Sequence, residues 1–182
     1  NTDGYDLLTA PLKPAQLPDL LELHDGASRF AKLAKLPGVH TTRVRPHVAK
    51  NHMARHSVVP ASVLGGSKAR GAIAIGASYD DPRHHKQPLR RLFHVVQVTD
   101  LAITAKVSHH GSLVWVTRLS NAQPVAGARV RILGLHGIST GSFTTDAQGL
   151  VTIPEGAFNP HFQWQKSTGA VIVARKGDDW CF

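Results

Sequence analysis

From Phe93 to the end of the chain, short apolar stretches alternate with clusters of turn-forming residues at nearly regular intervals. Within most of these stretches every second residue is apolar, which is typical of a β-strand that buries one face. Turn signals separate the stretches at residues 109–111, 120–123, 144–149 and 176–177. In the turn at residues 144–149, Asp146 is expected at the start and Gly149 at a position with positive φ. About seven short strands within about 85 residues predict an antiparallel β-sandwich of the immunoglobulin or fibronectin III kind.

The same alternation predicts which side chains form the core of this sandwich. Trp115 is the largest of them, and on this interpretation Trp115→Ala costs about 3–5 kcal/mol of unfolding free energy. The residues expected to face inward are Leu101, Ile103, Ala105, Val107, Leu113, Trp115, Thr117, Leu119, Ala128, Val130, Ile132, Val171 and Val173.

The first half of the chain contains one helical pattern. Apolar residues recur at helical spacing over about residues 17–36, which predicts a helix there. Pro18 suits the first turn of this helix, and Pro37-Gly38 suits its end. Gly26 is its weakest position, because glycine costs about 1 kcal/mol relative to alanine inside a helix.

The other elements of the first half are short and extended. Residues 1–14 are predicted to be irregular, and residues 39–56 an extended piece that leads into a basic loop. Residues 57–64 predict an edge strand, because Pro60 is poorly tolerated in a central one. Residues 71–79 are small and apolar and predict a buried strand. We therefore expect a partial β domain with one helical insertion.

Positive charge is concentrated in one segment of the chain. The whole chain carries a formal net charge of +9, but residues 29–91 hold thirteen Lys and Arg residues against two Asp. Such a segment could follow nucleic-acid phosphates, yet it offers only Phe30 and Tyr79 as aromatic platforms for bases. A solvated basic surface, or one complementary to an acidic neighbour, is the simpler interpretation. We expect no nucleic-acid partner.

Several residue groups carry side chains that can do chemistry, but none has the required pattern. The Gly65-Gly66-Ser67-Lys68 run lacks the spacing of a phosphate-binding loop. The pairs of neighbouring histidines or aspartates, in predicted loops and turns, lack the spacing of metal ligands or catalytic carboxylates. These pairs are Asp80-Asp81, His84-His85, His109-His110 and Asp178-Asp179. We therefore predict no catalytic, cofactor-binding or metal-binding residues, and no enzyme.

The single cysteine, Cys181, lies between Trp180 and Phe182 in a predicted strand and is expected to be a small core or edge residue. One cysteine excludes an internal disulfide framework. No apolar run approaches the roughly 20 residues that span a bilayer, and no signal-peptide pattern is visible. Because the chain starts at Asn1 and stops directly after a predicted strand, we expect a segment of a longer protein, with any membrane anchor outside this segment.

Five sequence pieces follow one another in the second half of the chain, at residues 96–106, 112–120, 123–130, 144–150 and 171–179. In their order and spacing these pieces resemble a macroglobulin domain of the bacterial alpha-2-macroglobulin family over about residues 95–182. The junction at residues 96–101 and the closing residues 173–180 make the resemblance more specific than the other three pieces do. Those three recur in many extracellular sandwich domains. They are Ser112 to Ser120, Gln123-Pro124-Val125-Ala126-Gly127-Ala128-Arg129-Val130, and Thr144-Thr145-Asp146-Ala147-Gln148-Gly149-Leu150.

The resemblance implies that residues 95–182 form a macroglobulin-type sandwich and residues 1–94 part of a preceding macroglobulin-like domain. It also implies a periplasmic or cell-surface protein that inhibits proteases by entrapment. The family's thioester motif, a Cys followed by a Gly/Leu-Glu-Gln run, is not present, because Cys181 is followed by Phe182. No bait region is recognisable. The segment is therefore expected to be scaffold, with neighbouring macroglobulin domains as partners and proteases as targets of the full-length protein.

Two alternatives remain open from the residues. An adhesin-type extracellular module would use the same immunoglobulin-like sandwich without a thioester elsewhere in the protein. A basic nucleic-acid-binding protein would use the segment 29–91, and its binding would weaken steeply with salt.

Overall fold

A computed structural model describes residues 4–46, 55–80, 89–108, 110–134, 138–158 and 170–182. The protein is mainly β, with three antiparallel sheets. The chain forms two compact units. Unit 1 comprises Asn1–Leu12 and Leu23–Val96, and unit 2 comprises Lys13–Glu22 and Gln97–Phe182.

Unit 1 is built on a four-stranded sheet with the order β2-β1-β3-β4. Its centre is a long antiparallel pairing between β1 and β3, which runs from Asp6 opposite Ser78 to Leu12 opposite Ala72. The strands are β1 (Tyr5–Leu12), β2 (His40–Val44), β3 (Gly71–Asp80) and β4 (Leu89–Val98). The last two residues of β4, Gln97 and Val98, belong to unit 2.

The prediction of an irregular segment at residues 1–14 was wrong, because β1 is a central strand. Pro11 was the misleading signal. Strand β1 pairs with β2 only as far as Thr9, whereas its pairing with β3 continues to Leu12. At Pro11 the strand therefore has a neighbour on one side only, where proline is tolerated.

The predicted helix over about residues 17–36 is two helices, α1 (Leu17–Leu21) in unit 2 and α2 (Gly26–Leu33) in unit 1. Asp25 separates them. Its backbone is extended, and its carboxylate Oδ1 accepts the backbone N–H of Ser28 at 2.7 Å, so that α2 begins with its own N-cap. Helix α2 packs directly on the sheet, since a Cβ at Gly76 would lie 2.8 Å from the Leu33 side chain.

Residues 57–64 were predicted as an edge strand, but the structure has a short helix, α3 (Pro60–Leu64), in their place. Pro60 stands in the first turn of α3, where its missing N–H leaves no bond unmade. Gly65 ends the helix in the left-handed conformation, with φ +88°. The proline that suggested an edge strand is therefore a helix-start signal.

Unit 2 is a sandwich of a three-stranded sheet, β5-β6-β9, and a four-stranded sheet, β11-β10-β7-β8. Its seven strands confirm the predicted fold class. The prediction missed β8 by treating residues 137–141 as a loop. The strands are β5 (Leu101–Lys106), β6 (Ser112–Arg118), β7 (Arg129–Leu133), β8 (Ser139–Thr144), β9 (Leu150–Ile153), β10 (Val171–Lys176) and β11 (Asp179–Cys181).

The core of unit 2 lies between its two sheets. Val130 and Ile132 face inward from β7 as predicted, and both are fully buried. The buried members of the core are Leu101, Val114, Val116, Val125, Ala128, Val130, Ile132, Ile153, Phe158, Ala174 and Cys181.

The inward row predicted for β6 was wrong by one residue. Val114 and Val116 are fully buried, whereas Leu113 and Trp115 are each 42% exposed and Leu119 is 64% exposed. Because successive side chains of a strand point to opposite faces, a shift of one position moves the whole row. The expected loss of about 3–5 kcal/mol for Trp115→Ala therefore does not apply, since the ring is not part of the core.

Candidate functional site

An apolar surface lies on the outer side of the three-stranded sheet of unit 2. Strand β6 is the middle strand, so Leu113 and Trp115 project from the centre of this surface. The cross-strand register places Thr104 and Leu150 on either side of Trp115. We call this surface the outer face, and define it as Ala102, Thr104, Lys106, Leu113, Trp115, Thr117, Leu150 and Thr152.

Trp115 is held in place on the outer face by its polar edge. The indole Nε1–H donates to the backbone carbonyl oxygen of Gln148 at 3.0 Å. The ring is therefore fixed across the turn before β9, and a broad apolar surface remains open to solvent. A positioned aromatic ring of this kind loses little conformational entropy when a partner covers it. Tryptophan is also among the residues most enriched at interface hot spots. The geometry is that of a docking anchor.

Charge on the outer face is sparse. Leu113 lies opposite Lys106 on β5 and Thr152 on β9. Of the eight residues that define the outer face, Lys106 is the one that carries a charge. The centre of the face is therefore apolar and its border polar, the arrangement found in the buried core and rim of protein–protein interfaces. Sequence reasoning missed this face, because it assigned its two central side chains, Leu113 and Trp115, to the core.

The sequence pieces of the predicted resemblance meet at hydrogen-bonded joints rather than at a chemical site. At the first joint, the Asp100 carboxylate accepts the backbone N–H of Ser120 at 2.8 Å and an Arg118 guanidinium N–H at 3.0 Å. The Ser120 bonds, followed by Arg118, lower the pKa of Asp100 below its usual value. The Asp100 N–H donates to Asp179 Oδ2 at 2.9 Å. This joint ties the start of β5 to β11.

At the second joint, the buried hydroxyl of Thr145 connects two neighbouring segments. It donates to the carbonyl oxygen of Val125 at 2.6 Å and accepts the backbone N–H of Ala128 at 2.8 Å. The backbone of Thr145 makes further bonds to Gly127 and Ala128. One side chain thus fixes the turn that leads into β7.

At the third joint, the turn at residues 144–149 has the chemistry predicted from the sequence. Asp146 Oδ1 accepts the backbone N–H groups of Gln148 and Leu150, both at 2.9 Å. Gly149 adopts the left-handed conformation with φ +72°. This turn also supplies the carbonyl of Gln148 that holds Trp115, so it positions the outer face.

The candidate residues for chemistry form no shared site within the part of the chain that the structure describes. Gly65 to Lys68 form an exposed turn after α3. Asp178 is exposed, whereas Asp179 begins β11. Asp81, His84, His85 and His109 lie outside the described residues. In the part of the chain that the structure describes, no group of three His, Cys, Asp or Glu side chains could hold a metal ion.

Cys181 is buried in the core of unit 2, as expected from its apolar neighbours in sequence. Burial, and then the negative charge of Asp179, raise the pKa of its thiol to about 12. The nucleophilic form of cysteine is the thiolate, which is scarce at neutral pH with such a pKa. Cys181 is therefore a packing residue in the folded protein.

Two arginines of the basic segment contact aromatic rings within unit 1. The Arg29 guanidinium lies 6.0 Å from the centre of the Phe93 ring, and that of Arg91 lies 5.9 Å from the centre of the Phe30 ring. These distances fit cation–π contacts. Residues 47–54 of the predicted basic loop lie outside the described residues. No helix among the described residues has the length and apolarity needed to cross a membrane.

Comparison with known proteins gives one family-model match, over the second half of the chain, and one shared fold. Residues 98–182 match the family model for the bacterial alpha-2-macroglobulin MG3 domain. None of the curated proteins matches the sequence. Among solved structures, native alpha-2-macroglobulin from Escherichia coli spanning domains NIE-MG1 is similar with a TM-score of 0.58 at 19% identity. That similarity covers 99% of this chain and 82% of the other.

Two longer structures of the same Escherichia coli protein are also similar. The one spanning domains MG0-NIE-MG1 has a TM-score of 0.55 at 20% identity, and this chain covers 54% of it. The cryo-EM reconstruction of the native conformation has a TM-score of 0.50 at 18% identity, and this chain covers 11% of it. The two cover 99% and 100% of this chain, respectively. At such identities these similarities show a shared fold.

Proposed function

We propose that this chain is a scaffold segment of a bacterial protease inhibitor, because residues 98–182 match the family model for the bacterial alpha-2-macroglobulin MG3 domain. The resemblance stated from the sequence is confirmed. In this proposal the sandwich of unit 2 carries no reaction. It holds neighbouring macroglobulin domains in the arrangement through which the full-length protein entraps a protease.

The observation that carries the proposal is the outer face. Leu113 and Trp115 are large apolar side chains, side by side on a sheet surface, and the Trp115 ring is hydrogen-bonded in position. Large exposed apolar patches commonly mark interaction sites. The similar solved structures include one chain several times longer than this one, of which this chain covers 11%. We therefore propose a neighbouring macroglobulin domain of the same protein as the occupant of the outer face.

The domain organisation remains part of the proposal. Residues 95–182 would be one macroglobulin-type sandwich, and residues 1–94 would contribute to a preceding macroglobulin-like domain. We further propose a periplasmic or cell-surface location and no enzymatic activity of the segment itself. These statements rest on the resemblance to the macroglobulin family, which implies that the full-length protein entraps proteases.

Protease protection by the longer protein that contains this chain tests the proposal. We expect the longer protein, mixed with a protease, to slow cleavage of a large protein substrate more than cleavage of a small peptide substrate. The 182-residue chain alone should slow neither. Leu113→Glu together with Trp115→Glu should abolish the difference between substrates, because two charges would then face the neighbouring domain.

The matched control is Ile138→Glu, which adds charge at a side chain that is 60% exposed and not on the outer face. It should leave the protection unchanged. Thermal unfolding of the 182-residue chain checks that the outer-face variant still folds. The proposal fails if the folded double variant protects as well as the unchanged protein, or if the longer protein never distinguishes the two substrates.

A further inference from the structure

A basic depression of about 270 Å³ opens on unit 2, on the four-stranded sheet rather than on the sheet that carries the outer face. Its walls are two arginines and a lysine, and two glycines leave it open. The lining residues are Gly127, Arg129, Arg175, Lys176 and Gly177. Nothing in the scaffold role of the segment uses this cluster.

The two arginines of this basic depression oppose each other directly. Arg129 on β7 is the register partner of Arg175 on β10, and both are exposed. Like charges directly opposite each other on antiparallel strands destabilise the pair. Among the described residues, the ion pairs include no acid at Arg129 or Lys176, and Arg175 has only the wholly exposed Asp178 at 3.9 Å. The positive charge is therefore left largely uncompensated.

Main-chain contacts fix two of the three cations, Lys176 and Arg175. The Lys176 ammonium donates to the carbonyl oxygens of Ala126 and Gly127, at 2.7 and 3.3 Å. Arg175 Nε donates to the carbonyl oxygen of Gly177 at 2.8 Å. One ammonium proton and the terminal guanidinium nitrogens remain for a ligand. Lys176 and Arg175 are thus positioned in advance, which lowers the entropy that binding would cost.

We propose that the basic depression binds a phosphoryl oxyanion. The two guanidinium groups provide planar, paired donors of the kind that recognise phosphate oxygens, and Lys176 adds a third positive charge. A phosphoryl group offers three oxygens to these three cations. The negative charge of the bound group would also offset the repulsion between Arg129 and Arg175, which favours the bound state over the free one.

Titration of the 182-residue chain with inorganic phosphate, against chloride at matched ionic strength, tests this site. We expect a saturable rise of the thermal midpoint with phosphate, and shifts of the Gly127 and Gly177 amide resonances. Arg129→Gln with Arg175→Gln should weaken the binding at least about tenfold, since each charge-assisted bond is worth that much. The control Arg131→Gln, two residues along β7 and outside the depression, should bind as the unchanged chain does.

Vesicles of phosphatidylcholine, with and without phosphatidic acid, identify the source of the phosphoryl group. Co-sedimentation only with phosphatidic acid, lost in the double variant and kept in Arg131→Gln, would assign the site to a lipid headgroup. Phosphate binding without co-sedimentation would assign it to a free phosphate or phosphate monoester. The proposal is overturned if neither probe gives a saturable response, or if the double variant and Arg131→Gln respond alike.

Discussion

Gly149→Ala is expected to lower the unfolding free energy of unit 2 by about 2–5 kcal/mol. Gly149 has a φ of +72°, where a residue with a Cβ is strained by about 1–2 kcal/mol. The added Cβ would also lie 2.6 Å from the carbonyl oxygen of Val116 and 2.9 Å from the backbone nitrogen of Val125. The Val125 N–H donates a hydrogen bond to the Val116 carbonyl oxygen, so any movement that relieves the clash must disturb this bond. Such overpacking typically costs about 1–3 kcal/mol more.

Gly177→Ala separates the two causes. Gly177 has a φ of +62°, close to that of Gly149, but a Cβ there meets nothing within 4 Å. We expect a loss of only about 1 kcal/mol, from backbone strain alone. Urea unfolding followed by tryptophan fluorescence gives both values, because all three tryptophans belong to unit 2. Equal losses for the two variants would show that the turn at residues 144–149 is not packed against β6 as described.

Thr145→Val is expected to cost about 2–6 kcal/mol, although valine has nearly the same shape as threonine. The Thr145 hydroxyl is buried and bonds both the Val125 carbonyl and the Ala128 N–H. Valine would leave both backbone groups buried without a partner, at about 1–3 kcal/mol each. This single hydroxyl therefore has a larger effect than most apolar contacts around it.

Thr144→Val is the matched control, because Thr144 is the exposed neighbour on β8. It should change the unfolding free energy by no more than about 0.5 kcal/mol. Thr145→Ser keeps the hydroxyl and should restore most of the loss, less the contribution of one methyl group. The same urea experiment measures all three. A loss in Thr145→Val no greater than that in Thr144→Val would contradict the joint.

Turn chemistry and strand spacing in unit 2 could be predicted from the sequence. The Asp at 146 and the Gly at 149 have local roles that depend on a few neighbouring residues, and the structure places both as expected. Spacing alone also predicted the sandwich, because period-two alternation between turns has few other solutions.

Which of the two side-chain rows of β6 is buried could not be predicted in the same way. Both rows of this strand are apolar, Leu113 and Trp115 on one face and Val114 and Val116 on the other. Alternation shows that a strand has two faces but does not say which one is buried when both are apolar. A preference for large side chains in the core gave the wrong face. The same ambiguity hid the candidate site, since a second apolar row on a sandwich strand is itself the signal of a docking surface.

Prolines misled the interpretation of unit 1. Pro11 lies in a central strand beyond the end of its β2 neighbour, and Pro60 begins a helix. Each is compatible with its element only because of where other strands end or where a helix starts. The positions of neighbouring elements decide this, and the local sequence around a proline does not reveal them.

Hydroxyl-radical footprinting of Trp115 tests the central claim most directly. The side chains of Leu113 and Trp115 are accessible in the 182-residue chain, and the claim is that a neighbouring macroglobulin domain covers them in the longer protein. Oxidation of both should therefore be fast in the chain and at least about tenfold slower in the longer protein, while Ile138 is oxidised equally in both. Equal oxidation of Trp115 in the two proteins would contradict a scaffold that docks through this face.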